Sequence, residues 1–232
     1  AQFEAAIRAA KKFIWVEFYI IRNDETGYRF LDLLAERAAQ GIEVRLIYAG
    51  FGSLWLDANR LKKIRRNGGF TESFLPVNPL RRKWSIHLRN HRKIIIVDGE
   101  IGFTGGMNVG DEYSGRTRRR GGWHFLDSHL LIRGPAVADL AQTFVEDWLF
   151  AAEEELDLPP IATRIEGAKS TMAIVPSGPD QQQNANAWVY FAGIAQAMHR
   201  VYLATPYFVP NEPTWHAIGS PAMRGADVRL LV

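Results

Sequence analysis

The chain has 232 residues, is 47% hydrophobic, carries a formal net charge of +3 and contains no cysteine. This length and composition allow one large core or two ordinary ones, and the lack of cysteine excludes disulfide and thiolate chemistry. Because the net charge is small, any binding of anions must be local. No stretch approaches the roughly 20 apolar residues of a membrane-spanning helix. The first residues read as the middle of an amphipathic helix rather than a signal peptide, so we expect the chain to begin inside a longer protein.

Short apolar strands alternate with helices in the first half of the chain. The aromatic and β-branched run FIWVEFYI (13–20) predicts a strand whose aromatic residues, Tyr19 among them, are interpreted as core residues. A helix over 26–41 follows it and ends at a glycine. A second strand is predicted over 42–48 and a second helix over 55–67. This alternation predicts an α/β fold whose sheet is largely parallel or mixed.

The stretch NHRKIIIVDGEIGFTGGMN (90–108) predicts a β-hairpin. Its Asp-Gly pair at 98 and 99 is typical of a two-residue type I′ turn, which needs positive φ at both positions. In that register Lys93 lies opposite Thr104, and directly paired residues share one face of the sheet. The side chains predicted to project together are His91, Lys93, Thr104 and Asn108.

This set of side chains predicts a phosphate-binding site. Lys93 offers a charge to a phosphoryl oxygen, Asn108 offers an amide donor, and the imidazole of His91 can attack phosphorus or move a proton. Gly105 and Gly106 are predicted to leave space opposite the imidazole. Each residue taken alone has a plainer interpretation: an exposed histidine, a solvated lysine or a simple turn.

The same residues carry a family resemblance. They match H-x-K-x4-D-x6-G-G-x-N, which resembles the signature of the phospholipase D superfamily, and the segments GFTGGMNVGDEY, GPAVADLAQTFVEDW, VPSGPD and ATPYFVPNE resemble its bacterial cardiolipin synthase branch. The resemblance implies a phospholipase D-like fold and a double displacement without metal or cofactor. His91 would form a phosphohistidine, Lys93 and Asn108 would stabilise the phosphoryl oxygens, and a histidine of a second repeat would protonate the leaving alcohol.

In that branch one phosphatidylglycerol gives its phosphatidyl group to another and releases glycerol, so the resemblance implies an anionic phospholipid substrate at the cytoplasmic membrane. Two alternatives stay open. A phosphodiesterase, either a lipid hydrolase or a nuclease, would use the same site with water as the acceptor. A non-catalytic module would only bind phosphate.

Two acidic residues need separate interpretations. Asp98 is the aspartate of the motif and stands among the catalytic residues that the resemblance implies, but its place in the turn favours a structural role. Asp127 in WHFLDSH is the better candidate for orienting His91, because it resembles the aspartate of the family's W-x-D-T-H segment. It differs from that segment by two extra residues and by Ser128, and a buried structural acid is the alternative. Ala49 in YAGFGS stands where relatives commonly carry an aspartate.

Basic residues flank the motif and would attract anionic lipid headgroups and nucleic acid alike. With the family resemblance, an anionic lipid surface is the expected partner and nucleic acid is not favoured. The alternative is a solvated loop that only aids solubility. Two histidines near the motif, His87 and His124, are interpreted as local hydrogen-bonding residues. The basic residues concerned are Arg81, Arg82, Lys83, Arg89 and Arg92, with a second group at Arg116, Arg118, Arg119 and Arg120.

The second half of the chain resembles the first. KFIWVEFYIIRND aligns with RVYLATPYFVPNE, and GIEVRLIY aligns with GADVRLLV, which pairs Gly41 with Gly225. We therefore expect a first lobe over 1–157, with the motif at about 85–112, a linker at EEELDLPP, and the start of a second lobe over 165–232. The second motif would lie after Val232, so this chain alone should turn over weakly unless further residues or a second chain supply the other half of the site.

Overall fold

A computed structural model of the chain describes residues 2–53, 55–74, 90–114, 125–168, 170–178 and 185–232. The chain separates into two compact units, Ala1–Ile174 and Val175–Val232. The boundary lies after the predicted linker, so the residues that follow the last helix of the first unit still belong to that unit.

The first unit alternates helices and strands. Its elements are α1 (Gln2–Ala9), β1 (Phe13–Phe18), α2 (Glu25–Ala39), β2 (Glu43–Ala49), α3 (Ala58–Arg66), β3 (Phe70–Phe74), β4 (Lys93–Val97), β5 (Ile101–Gly105), a 3₁₀ turn (Asp111–Tyr113), β6 (His129–Arg133) and α4 (Ala136–Ala152). The sequence did not predict β3, since its residues FTESF mix polar and aromatic side chains without a regular alternation.

The six strands form one sheet in the order β3-β2-β1-β4-β5-β6. The pairs β1–β2 and β2–β3 are parallel, whereas β1–β4, β4–β5 and β5–β6 are antiparallel. The sheet is therefore mixed, as the sequence predicted, and β1 is the strand at which its parallel half meets its antiparallel half.

Helices cover both faces of the sheet, and the alternation of side chains along β1 divides them into two cores. Val16 and Phe18 pack with α1, α2 and α3 on one face, and Trp15 packs with α4 on the other. β4 alternates in the same way, because Ile95 and Val97 join the first core while Ile94 and Ile96 join the second. Residues on opposite faces of β1 and β4 thus reach different environments.

Local signals in the sequence set the helix boundaries. The side chain of Asp24 caps α2 by accepting a hydrogen bond from the Gly27 amide at 2.8 Å, and Gly41 follows the helix with a φ of 81°. Asp57 caps α3 in the same manner, so this helix begins three residues later than the sequence predicted.

The hairpin β4–β5 differs from the prediction by one residue of register. Ile94 pairs with Thr104 and Val97 with Ile101, which leaves a three-residue loop in place of two. Asp98 and Gly99 do have positive φ, of 56° and 72°, but Glu100 belongs to the loop as well and its amide donates to the Val97 carbonyl at 3.0 Å. A shift of one residue moves side chains to the other face, and this affects the predicted site.

The second unit contains α5 (Ala185–Ala195), β7 (Arg200–Ala204), α6 (Glu212–Met223) and β8 (Asp227–Leu231). Its two strands are parallel, and its order of elements is that of α1, β1, α2 and β2. That order is what a duplication requires, and the duplication stays a proposal. In the described part of the chain no helix has the length and hydrophobicity that crossing a bilayer would need.

Candidate active site

His91 and Lys93 lie together beside Tyr19, just after the end of β1. The imidazole of His91 stacks on the Tyr19 ring with 3.8 Å between centroids and 20° between planes. The Nζ atom of Lys93 lies 5.7 Å from the centroid of the same ring and donates to the His91 carbonyl at 2.5 Å. The two side chains therefore border one aromatic ring.

Asn108 reaches the same end of β1 from the segment that follows β5. Its Oδ1 accepts from the Ile20 amide at 3.1 Å, and its Nδ2 donates to the Tyr113 hydroxyl at 3.0 Å. The side chain is buried, and a bridge between Ile21 and Val109 fixes the main chain beside it. Since an amide nitrogen has two protons, one donor remains for a substrate oxygen. His91, Lys93 and Asn108 are called the phosphate site below.

Thr104 does not belong to the phosphate site, contrary to the prediction. It pairs with Ile94 on one side and Leu130 on the other, so it lies on the face opposite Lys93. The reason is the three-residue hairpin loop, which places Lys93 next to Gly105 rather than Thr104.

Gly105 and Gly106 do not leave an empty space opposite the imidazole, contrary to the prediction, because other protein atoms lie directly beside them. A Cβ atom at Gly106 would lie 1.9 Å from Oδ1 of Asp127, and one at Gly105 would lie 2.4 Å from the Ser128 carbonyl oxygen. The Gly106 amide also donates to that carbonyl at 2.9 Å. Gly105 and Gly106 therefore allow the chain entering β6 to approach the hairpin closely.

Asp127 is consequently held beside the hairpin, with its carboxylate against Gly106. Its negative charge raises the pKa of Lys93, although burial of the ammonium is the larger effect and leaves that pKa below its usual value. Asp127 is exposed, so it is not the buried structural acid considered as an alternative. Its role in orienting His91 stays a prediction.

Asp98 lies at the other end of β4 from the phosphate site. Its carboxylate accepts backbone amide hydrogen bonds from Lys11 at 2.8 Å, from Lys12 at 2.8 Å and from Phe13 at 3.0 Å. The motif aspartate thus joins the hairpin loop to the start of β1 and does not contact the histidine and lysine of the motif.

Tyr19 is a site residue that sequence reasoning assigned to core packing. Its main chain is fixed by the turn that follows β2, because Ser53 donates its hydroxyl proton to the Tyr19 carbonyl and accepts from the Ile21 amide, both at 3.2 Å. A Cβ at Gly52 would lie 2.2 Å from the Tyr19 carbonyl oxygen. The Gly-Ser pair of YAGFGS was the available signal. Ala49 is buried at the end of β2, and nothing in the structure explains the absence of an aspartate there.

His129, the first residue of β6, is a second residue that the sequence did not single out. Both of its ring nitrogens are buried and have no hydrogen-bond partner among the described residues. Burial first, and the positive charge of Lys93 second, lower the pKa of His129 to about 4, so the ring is neutral at neutral pH. The edge of the Phe3 ring packs against it with 4.9 Å between centroids.

Arg92 is not displayed for lipid headgroups, contrary to the prediction. Its guanidinium pairs with both carboxylate oxygens of Asp147 on α4, and 19% of its side chain is exposed. The remaining predicted basic residues and two histidines lie outside the described residues: Arg81, Arg82, Lys83, His87, Arg89, Arg116, Arg118, Arg119, Arg120 and His124.

Comparisons with known proteins agree with the sequence resemblance. The family model described as "Cardiolipin synthase, PLD-like domain" matches residues 3–148. The chain is 38% identical to a cardiolipin synthase of Geobacillus kaustophilus, over 98% of this chain and 45% of that protein. It is 39% identical to cardiolipin synthase A of Pseudomonas aeruginosa, over 100% of this chain and 47% of that protein. The chain therefore spans about half the length of the curated relatives it matches.

Among solved structures, phosphatidylserine synthase of Haemophilus influenzae superposes with a TM-score of 0.70 over 99% of this chain and 58% of that chain. The two sequences are 18% identical, so the likeness concerns the fold.

Proposed function

Because the chain belongs to the cardiolipin synthase family of phospholipase D-like domains, we propose that it supplies one half of the active site of a phosphatidyltransferase. The donor and the acceptor are both phosphatidylglycerol, and the products are cardiolipin and glycerol. The other half of the site comes from a second phospholipase D motif, either further along the protein or in a second chain.

The observation that carries this proposal is the meeting of His91, Lys93 and Asn108 at the end of β1. Two segments, the start of β4 and the chain that follows β5, bring a nucleophile, a cation and an amide donor to the end of β1. Lys93 is mostly buried, and in a site with little water its charge acts more strongly on a phosphoryl oxygen than it would in solution.

The proposed reaction has two displacements at phosphorus. In the first, a ring nitrogen of His91 forms a bond to phosphorus, and the bond from phosphorus to the oxygen of the headgroup glycerol breaks. The histidine of the other half protonates that oxygen, and glycerol leaves. In the second, a hydroxyl of another phosphatidylglycerol gives its proton to that histidine and displaces His91. Lys93 and Asn108 stabilise the charge on the non-bridging oxygens in both steps.

We place the reaction at the surface of the cytoplasmic membrane, because both substrates are anionic phospholipids. The basic residues that flank the motif in the sequence, Arg92 excepted, support this placement, since each one near an anionic surface contributes about 1 kcal/mol of binding. Stable attachment to the membrane would come either from these basic residues at its surface or from segments outside this chain.

The test uses the full-length protein and phosphatidylglycerol labelled at phosphorus. We expect labelled cardiolipin and free glycerol, and on rapid acid-free quenching a protein-bound label with the stability of a phosphohistidine. His91→Asn should abolish both the label and the product, by at least about a thousandfold, because the proposed bond to phosphorus is formed by the imidazole of His91.

The matched control is His216→Asn, the same replacement at an exposed position of α6. It should keep the label and the product. Label retained by folded His91→Asn would refute the assignment of the nucleophile. Phosphatidic acid as the sole product would show hydrolysis instead of transfer, and binding of phosphatidylglycerol without label or product would show the non-catalytic module.

A further inference from the structure

Two carboxyl groups lie buried on the face of the sheet opposite Lys93. Glu17 of β1 is 2% exposed and Asp147 of α4 is 6% exposed. Within the sheet Glu17 lies between Ile47 of β2 and Ile94 of β4. The core on this face is otherwise formed by large apolar side chains, and an apolar environment strongly disfavours a charged group.

The partners of these carboxyl groups are the two neighbours of His91 in the chain. Asn90 donates from Nδ2 to Oε1 of Glu17 at 2.5 Å and to Oδ2 of Asp147 at 3.0 Å. Arg92 pairs with Asp147 through its guanidinium, and its amide donates to Oδ1 of Asn90 at 2.9 Å. The residues before and after the nucleophile are therefore both fixed to one buried cluster.

The charges in this cluster balance only if one carboxyl group keeps a proton. Arg92 is the cation in direct contact, whereas there are two acids, and two carboxylates side by side in an apolar site cannot both ionise without a large cost. Lys93 lies on the other face and is the other positive charge that acts on Glu17. In agreement, burial and the neighbouring Asp147 raise the pKa of Glu17 well above its usual value.

The hydrogen bonds indicate which acid is neutral. Oε2 of Glu17 is buried and has no donor among the described residues, which an ionised carboxylate would tolerate poorly. Both oxygens of Asp147 are contacted by the Arg92 guanidinium. Asp147 therefore carries the negative charge, and Glu17 carries the proton and can donate it to Asp147.

We propose that Glu17 and Asp147 are positioning residues for His91: they share one proton and, through Asn90 and Arg92, fix the main chain on both sides of the nucleophile. Neither acid touches the substrate. The inference rests on the proposed function for its link to chemistry, but the shared proton and the fixed main chain are properties of the protein without substrate.

The test compares Glu17→Gln with Asp147→Asn in the full-length protein. Glutamine reproduces a neutral acid, so Glu17→Gln should form the labelled phosphoenzyme at a rate within about threefold of wild type. Asp147→Asn removes the carboxylate that contacts the Arg92 guanidinium. The rate should fall about 10- to 100-fold with KM changed by less than about twofold, as is usual for groups that orient a reacting residue.

Leu140→Ala is the matched control, since it weakens the packing of the same helix without touching the cluster. It should lower Tm while keeping the rate of phosphoenzyme formation. A wild-type rate in folded Asp147→Asn would overturn the positioning role. Equal losses in both variants would overturn the assignment of the proton to Glu17.

Two further measurements need no substrate and separate this proposal from the proposed function. The infrared band of a buried protonated carboxylic acid should be present in wild type and absent in Glu17→Gln. The NMR signals of the His91 imidazole, assigned by their loss in His91→Asn, should shift in Asp147→Asn and not in Leu140→Ala. If wild type forms no phosphoenzyme, the proposed function fails while these two results still decide the inference, and absence of both effects refutes it.

Discussion

At the scale of single residues, the close approach of Asp127 to Gly106 offers a way to test whether Asp127 orients His91. The two residues are so close that a Cβ atom at Gly106 would overlap Oδ1 of Asp127. The overlapping atom is the end of an exposed side chain, which can move aside at little cost to stability. A Cβ atom at position 106 would displace that carboxylate, and the change in the rate of phosphoenzyme formation would then show what Asp127 contributes to the reaction.

Gly106→Ala should lower the rate of phosphoenzyme formation at least about tenfold while changing the free energy of unfolding by less than about 1 kcal/mol. Asp127→Asn should have a similar effect, and the double variant should lose little more than either single variant. Gly193→Ala in α5 is the control, because no atom lies within 4 Å of its Cβ position and it should only stabilise the helix slightly. Gly106→Ala with a wild-type rate would rule out the role of Asp127.

His129 should make stability depend on pH in a definite direction. Its pKa is about 4 in the folded protein, below the usual 6.5, so between these values the unfolded chain binds the extra proton. The contribution of His129 to the free energy of unfolding is therefore fully present above pH 6.5. It is lost as the pH falls towards 4, by at most about 3 kcal/mol. Urea unfolding of wild type and His129→Leu across this range measures the difference.

The variant should lose this part of the pH dependence, because leucine has no proton to bind. His216→Leu, at an exposed position, should keep the wild-type slope between pH 6.5 and 4. Parallel stability curves for wild type and His129→Leu would mean that His129 is not the group responsible.

At the scale of elements, the hairpin loop is joined to β1 through Asp98. Three main-chain amides at the start of β1 donate to this one carboxylate, which sits at a φ of 56° where asparagine is also tolerated. The motif aspartate thus fixes the hairpin-loop end of β4 to the start of β1. This end of β4 is the one farther from the phosphate site. The contribution of Asp98 should be to stability rather than to the chemical step.

Asp98→Asn should lower the free energy of unfolding by about 1–3 kcal/mol, since Oδ2 becomes an amide facing the Lys11 amide. The rate of phosphoenzyme formation per folded molecule should stay within about twofold of wild type. Asp157→Asn, at an exposed position, should change stability by less than about 0.5 kcal/mol. A large loss of rate in stably folded Asp98→Asn would instead assign this residue to catalysis.

At the scale of the whole molecule, the sequence predicted the kind of fold, and its assignment of His91, Lys93 and Asn108 to a phosphate site stays a prediction. Alternating apolar runs and helix caps are local signals, so the α/β class and the helices could be read from them. His91 and Lys93 lie together as the motif suggested, whereas Asn108 reaches the same end of β1 through the segment after β5 and not through the predicted hairpin register. The family resemblance is confirmed by the family model and the curated relatives.

The errors came from features that only the folded chain defines. Thr104 was placed on the wrong face because one extra loop residue, Glu100, reverses the facing of every residue on β5. The acid pair was missed because Glu17 and Asp147 are far apart in sequence and each resembles an ordinary charged residue. Tyr19 was assigned to the core because an aromatic residue after a strand gives no sign of stacking on a histidine.

The position of β1 between the two halves of the sheet has a consequence for folding. Its parallel neighbour β2 follows after a single helix, but β4 must reach β1 from 75 positions away, as the pairing of Phe18 with Lys93 shows. Contacts between distant parts of a chain close slowly. His91 can therefore stack on Tyr19 only after these two distant segments have met, so phosphoenzyme formation should not return during refolding before β1 and β4 have paired.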